Sequence, residues 1–288
     1  MKKFQINLLA LVIVCLFVLT TTVSAQPNTV NEHKIVSGFT KKSYTLKVLL
    51  PASYSTTDTL HYPVLYVLDG NYSTSLFQSA LSIFSLAPEL KDVIIVTIDG
   101  ATSSHEQWLA NRYYDYTPSS DPQADTAIAR FMKTAIVPSG GASFFLQTLE
   151  KQIMPWVESN YKTNPDKGLY GHSLGGLFAA YCLVQKPGLF KKYSINSPSL
   201  WWHKGELPAQ FAARKISTDT IKATVFFSAG KKEGAFMISP IDVFEKAMHV
   251  NSPGIKLTYK IFEDETHLSV VPVICSRTLT AFYSRMPF

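Results

Sequence analysis

The residues best suited to chemistry lie in the run Gly171-His172-Ser173-Leu174-Gly175-Gly176. A short apolar segment, residues 168–170, precedes it, and Leu177-Phe178-Ala179-Ala180-Tyr181-Cys182-Leu183 continues it with helical character. A serine flanked by glycines at two-residue spacing, between a strand and a helix, is the pattern of a nucleophile elbow. Such a turn holds its serine in a strained backbone conformation, and side chains at positions 171 and 175 would collide with the neighbouring strand or helix. The hydroxyl of Ser173 then projects beyond the sheet edge near a helix N-terminus, where developing negative charge is favoured.

A serine hydroxyl is a weak nucleophile without a base. In an elbow of this kind the chain order is serine, acid, histidine. His249 and His267 follow Ser173 with room for an acid between. His249 falls near the end of a helical pattern over 241–250. His267 sits in the turn after the last strand pattern, 257–262, ahead of a final helix, which is where a base is expected. His203, in Trp201-Trp202-His203, precedes every candidate acid. The acid belongs in the loop after the strand pattern 223–228, which reads Ala229-Gly230-Lys231-Lys232-Glu233-Gly234, so Glu233 is the first choice. Asp242 is the alternative, with a helix-dipole role as its other explanation, and Glu233 could equally pair with Lys231 or Lys232. An oxyanion hole needs two backbone N–H groups. Leu174 supplies one, and the turn Gly70-Asn71-Tyr72 the other, with Asn71 as the expected donor. An ordinary Asp-Gly-Asn turn would look the same.

These groups need a scaffold that brings distant turns to one edge. Residues 34–51 carry two β-rich stretches, and 62–68 form an unbroken apolar run closed by Asp69-Gly70-Asn71. Residues 92–99, 168–170, 223–228 and 257–262 repeat the apolar pattern. Continuous apolar runs of this length suit strands buried on both faces. Helical periodicity over 75–84, 144–160, 174–185, 241–250 and 271–283 fills the gaps. The alternation predicts an α/β chain of the α/β-hydrolase fold, a mostly parallel central sheet with helices on both faces. Residues 101–141 break the rhythm and are expected to be an irregular insertion over the C-terminal sheet edge, where open α/β sheets bind ligands.

The 288 residues are 46% hydrophobic and 17% charged, enough apolar surface for a packed core. Lys2 and Lys3, an apolar run over 8–18 and Val23-Ser24-Ala25 read as a signal peptide of residues 1–25, with 26–288 as a single domain. The apolar run is shorter than the about 20 residues a membrane span needs. Export, periplasmic or secreted, without stable membrane insertion is the expectation. Losing Lys2 and Lys3 with the leader lowers the net charge from +6 to +4. No basic stripe or nucleic-acid module accompanies that charge, so no nucleic-acid partner is expected. Cys182 and Cys275 read as buried free thiols, with a disulfide as the alternative. The seven histidines show no ligand spacing, so no metal is expected.

With these pieces placed, the chain resembles the esterase family that includes esterase D, feruloyl esterases and the enterobactin and salmochelin esterases. The marks begin with Leu68-Asp69-Gly70-Asn71, Asn111-Arg112, Asp115-Tyr116-Thr117-Pro118, Gly140-Gly141-Ala142 and Met154-Pro155-Trp156. They continue through Tyr170-Gly171-His172-Ser173-Leu174-Gly175-Gly176, Ser197-Pro198-Ser199-Leu200-Trp201-Trp202 and Thr266-His267-Leu268-Ser269-Val270-Val271-Pro272. The last two segments resemble the siderophore-esterase branch most. The resemblance implies ester hydrolysis without a cofactor, in some members through a dyad lacking a strong acid, and a siderophore trilactone as one substrate class.

The pieces together describe an acyl-enzyme mechanism on a small or medium ester. Arg112, Tyr116, Trp201 and Trp202 are the candidate substrate-binding residues, since an arginine beside aromatics suits an aromatic or anionic acyl group. Core or lid packing is the competing account of those aromatics. An acyltransferase of the same fold, a ligand-binding protein that has kept the scaffold, and a serine peptidase are the rival functions. Oligomeric state is not readable from the chain.

Overall fold

The structure is a computed structural model that describes residues 30–286 except 88, 103 and 214–220. The leader pattern in residues 1–25 lies outside the described residues. Eight strands form one sheet: β1 Val30–Val36, β2 Ser43–Leu49, β3 Tyr62–Val67, β4 Ile94–Gly100, β5 Thr163–His172, β6 Lys192–Asn196, β7 Ala223–Gly230 and β8 Ile255–Phe262. Their spatial order is β1-β2-β4-β3-β5-β6-β7-β8. β2 runs against both neighbours and every other pairing is parallel.

The apolar run of β3 explains why this sheet is covered twice. Val64 and Tyr66 enter one core while Leu65 and Val67 enter the other, and all four are fully buried. Side chains alternate across a strand, so a continuous apolar strand needs an apolar layer on each side. One layer is built by α1 Gly70–Phe84 and α9 Val270–Tyr283, through Phe77, Ile274 and Leu279. The other is built from α2 His105–Tyr116, α4 Ala142–Thr148, α5 Met154–Asn160, α6 Leu174–Gln185, α7 Trp202–Ala212 and α8 Ala235–Asn251. A π turn, Leu149–Ile153, joins α4 to α5. Cys182 and Cys275 are both free and buried in opposite layers, which rules out a disulfide between them. Among the described residues no helix is long and apolar enough to cross a membrane.

Residues 101–141 are not irregular throughout. They hold α2 and a further helix, α3 Pro122–Met132. Ser104 caps α2 by accepting a hydrogen bond from Gln107 N–H at 3.1 Å, and Asp121 caps α3 from Ala124 N–H at 3.0 Å with Pro122 in the first turn. Cap residues of these types satisfy orphan N–H groups of a helix start. Both caps are readable in the sequence as Ser104 and Asp121-Pro122. Two elements carry no expectation from sequence: β6, a short strand with polar Lys192, Ser194 and Asn196, and α7, whose start is broken by left-handed His203, Lys204 and Gly205.

Candidate active site

Parallel strands end at a common edge, so the turns after β3, β5, β7 and β8 meet there. Ser173 follows β5 with φ 60° and ψ −120°, a conformation rare for a side-chain-bearing residue. It is held by its N–H donating to Asn196 O at 3.1 Å and by its carbonyl accepting from Leu177 at 2.9 Å and Ser199 at 3.1 Å. The flanking glycines differ in importance. A Cβ on Gly171 would lie 2.0 Å from Gly175 O, and one on Gly176 would lie 2.7 Å from Asn196 O. At Gly175 the nearest atom is a side-chain oxygen, Asp69 Oδ2 at 3.1 Å. The steric demand expected at 171 and 175 is therefore met at 171 and 176, because those two approach backbone. Gly171→Ala is expected to cost about 3 kcal/mol or more, above the usual range for an added methyl group. Gly175→Ala should cost less, and thermal denaturation of both variants checks the order.

His267 lies in the turn after β8, pinned by Thr266 N–H donating to Ser269 Oγ at 2.9 Å and Ser269 N–H donating to Thr266 Oγ1 at 3.2 Å. Its Nε2 is 2.9 Å from Ser173 Oγ and its Nδ1 is 2.6 Å from Glu233 Oε2. With Nδ1–H donating to the carboxylate, Nε2 is left as the acceptor for the serine hydroxyl. Glu233 ends a single 3₁₀ turn, Lys231–Glu233, directly after β7. Its second oxygen accepts from Ser197 Oγ at 2.6 Å and Gly230 N–H at 2.7 Å. Burial alone would raise its carboxyl pKa, but the hydrogen bonds from His267, Ser197 and Gly230 bring it below the ordinary range. The other carboxylate partners considered from sequence are elsewhere. Asp242 accepts from Tyr259 Oη at 2.8 Å, and Lys232 pairs with Asp264 at 3.6 Å. His249 pairs with Glu245 at 2.9 Å, and His203 with Glu206 at 2.9 Å.

His172, inside the elbow, packs its ring 4.6 Å from that of His267. Burial, and then the neighbouring His267 and Arg112 charges, hold its pKa well below the usual histidine value, so it stays neutral. Leu174 N–H opens α6, where no partner exists within the helix. In the turn after β3, Tyr72 N–H is engaged by Asn71 Oδ1 at 2.9 Å and Asp69 O at 3.3 Å. That leaves the Gly70 and Asn71 N–H groups as first-turn donors without a helical partner. The exposed Asn71 borders a recess of about 780 Å³ with Asp99 and Trp108 that does not reach Ser173.

Two clefts do reach Ser173. One, of about 720 Å³, runs between α2 and α3 and is lined by Leu109, Ala110, Ile128, Val137, Leu174 and Trp201. The other, of about 350 Å³, is lined by Tyr72, Leu76, His267, Leu268, Val271 and Pro272. Of the expected substrate residues, Trp201 lines the first, with its ring 5.2 Å from that of Phe236. Tyr116 and Trp202 do not line either cleft. Tyr116 is buried against Phe145 and Phe178 and its hydroxyl accepts from Asp69 N–H at 3.4 Å, while Trp202 packs on Tyr113 in the core. Their aromatic area is spent on packing, so they are corrected to core residues. Arg112 borders both clefts, but its Nε and Nη2 donate to Asp69 at 2.8 and 3.0 Å. Asp69 therefore matters to the site. In the sequence it belongs to the mark Leu68-Asp69-Gly70-Asn71 with no role of its own, and it adopts φ 56°.

A family model described as "Putative esterase" matches residues 37–268. The chain is 28% identical over 227 residues to the ferri-bacillibactin esterase BesA of Bacillus subtilis (strain 168), covering 76% of this chain and 78% of that protein. It is 27% identical over 257 residues to the siderophore triacetylfusarinine C esterase of Aspergillus fumigatus, covering 78% of this chain and 83% of that one. The crystal structure of the BES protein from Bacillus cereus superposes with a TM-score of 0.72 at 28% identity, covering 91% of this chain and 98% of that one. An IroE-like serine hydrolase from Shewanella oneidensis gives a TM-score of 0.72 at 24% identity, covering 88% and 79%, a likeness of fold. The sheet and its helices are those of an α/β hydrolase.

Proposed function

We propose, for a chain that belongs to the "Putative esterase" family and is a serine ester hydrolase, that Ser173, His267 and Glu233 carry the reaction. The observation that supports this is the continuous hydrogen-bonded line from Glu233 Oε2 through His267 to Ser173 Oγ, at 2.6 and 2.9 Å. His267 Nε2 takes the hydroxyl proton as Oγ bonds to the ester carbonyl carbon. The resulting oxyanion is held by Leu174 N–H and by the turn after β3, with Asn71 N–H as the second donor. His267 then protonates the departing alkoxide as the C–O bond breaks. In the second half it deprotonates water, which releases the acid and restores the serine. Glu233 orients the ring and stabilises the imidazolium that forms twice per turnover.

The relatives named for siderophore esters support an ester of that class as the natural substrate. The leader pattern supports export of a single 26–288 domain, periplasmic or secreted. Residues 26–288 should hydrolyse short p-nitrophenyl esters, and Ser173→Ala should remove that turnover. Turnover surviving the substitution would place the nucleophile elsewhere.

A further inference from the structure

The two clefts at Ser173 are chemically unlike, and the position of the base decides which part of an ester each receives. His267 must hand its proton to the departing alkoxide, so that oxygen has to come within hydrogen-bond reach of Nε2. His267 lines the smaller cleft and not the larger one. The alcohol therefore leaves through the smaller cleft, past Tyr72, Leu76 and Leu268. The acyl carbon stays on Ser173 with its oxygen toward Leu174 N–H, and Leu174 lines the larger cleft.

The larger cleft is apolar and of the size that holds a drug-sized group rather than an acetyl. Among the described residues, three charged side chains border it: Glu106, Arg112 and Asp125. Arg112 is the one cation among them, and its Nε and Nη2 are given to Asp69, whose side chain is 1% exposed. Asp125 accepts from Tyr113 Oη at 2.9 Å and Ser139 N–H at 3.3 Å, so it too is committed. Glu106 is exposed at the start of α2. An anionic acyl tail entering this space would meet two carboxylates and a cation already neutralised, and an ionised group buried without a partner is strongly disfavoured. The anionic acyl group that an arginine beside aromatics made plausible is thus not what this cleft is built for. Exposed Phe236, its ring tilted against Trp201 with two-thirds of its surface open, extends the apolar surface at that tryptophan.

Resting on Ser173 as the nucleophile, we propose that the cleft between α2 and α3 is the acyl site and accepts a neutral aliphatic or aromatic acyl group of medium size. A siderophore ester hydrolysed here presents an uncharged acyl arm.

The test holds the alcohol fixed and varies the acyl group on the full-length enzyme. The probes are p-nitrophenyl acetate, hexanoate, the adipate half-ester and 6-aminohexanoate. Hexanoate should exceed acetate in kcat/KM by about tenfold or more, since each buried methylene contributes about three- to fourfold. Both charged-tail esters should fall about tenfold or more below hexanoate. Ala110→Phe should lower the hexanoate-to-acetate ratio about tenfold, with Val137→Trp as a second obstruction on another segment should the first fail to fold. Leu76→Trp, in the smaller cleft, should leave that ratio unchanged. The assignment is overturned if a charged-tail ester matches hexanoate, if hexanoate gains nothing over acetate, or if Leu76→Trp moves the ratio and the obstructing variants do not. In each of those cases acetate turnover that vanishes in Ser173→Ala still stands, so a failed acyl assignment is distinct from a failed nucleophile.

Discussion

His267→Ala should lower kcat on a short p-nitrophenyl ester by about ten-thousand-fold or more, with KM changed only a few fold. Members of a nucleophile–base unit act together, so losing one costs nearly as much as losing all. The base is poised at 2.9 Å from Ser173 Oγ. The adjacent His172 cannot replace it, because burial and its neighbours hold its pKa well below the usual value, which makes it a weak base, and its Nε2 makes no hydrogen bond. Truncation also leaves the buried Glu233 Oε2 without its partner, so the melting temperature should be measured beside kcat to separate folding from chemistry. A drop of less than about tenfold would mean another group accepts the serine proton.

Glu233→Gln is the second large effect, a fall in kcat of about a hundred- to ten-thousand-fold. The amide can offer an N–H to His267 Nδ1 where the carboxylate accepted one, which favours the tautomer with its proton on Nε2. That proton then faces the serine hydroxyl, and the nucleophile loses its acceptor. The family resemblance admits members that work as a dyad, and in that case the loss would stay under about tenfold. The substitution also disturbs the hydrogen bonds from Ser197 and Gly230, a stability cost of about 1–3 kcal/mol for groups this deeply buried. Melting temperature and kcat should be measured together to separate the two. The carboxyl titrates lower in the folded protein than in the unfolded chain. Its contribution to stability is therefore complete above the ordinary glutamate range, about 4.3, and is withdrawn as pH falls through the lower folded value. In Glu233→Gln that acid-side loss should be smaller than in the wild type.

Much of this site was legible because its parts are local patterns with steric causes. The elbow needs a strand, a glycine where backbone approaches backbone and a helix, and all three are contiguous at 168–185. Chain order then selected Glu233 and His267 from few candidates. What was not legible depends on contacts between distant segments. Arg112 looked like a substrate ligand because its partner Asp69 lies 43 residues earlier, a pairing that no local pattern announces. Tyr116 and Trp202 looked like cleft residues because a core aromatic and a lining aromatic have the same sequence appearance. The helices within 101–141 start at the caps Ser104 and Asp121, local signals that a reading by continuous apolar runs does not weigh. β6 escaped notice because its polar residues are used inside, Asn196 holding the elbow through Ser173 N–H and Gly171 O.

The central claim, that Ser173 is the nucleophile activated by His267, is tested most directly by mapping where the phosphorylating reagent diisopropyl fluorophosphate attaches. Intact-mass and peptide analysis of the treated protein should show one adduct, on Ser173, formed at a rate that collapses in His267→Ala. An adduct on another residue, or labelling of Ser173 at an unchanged rate without His267, would contradict the account.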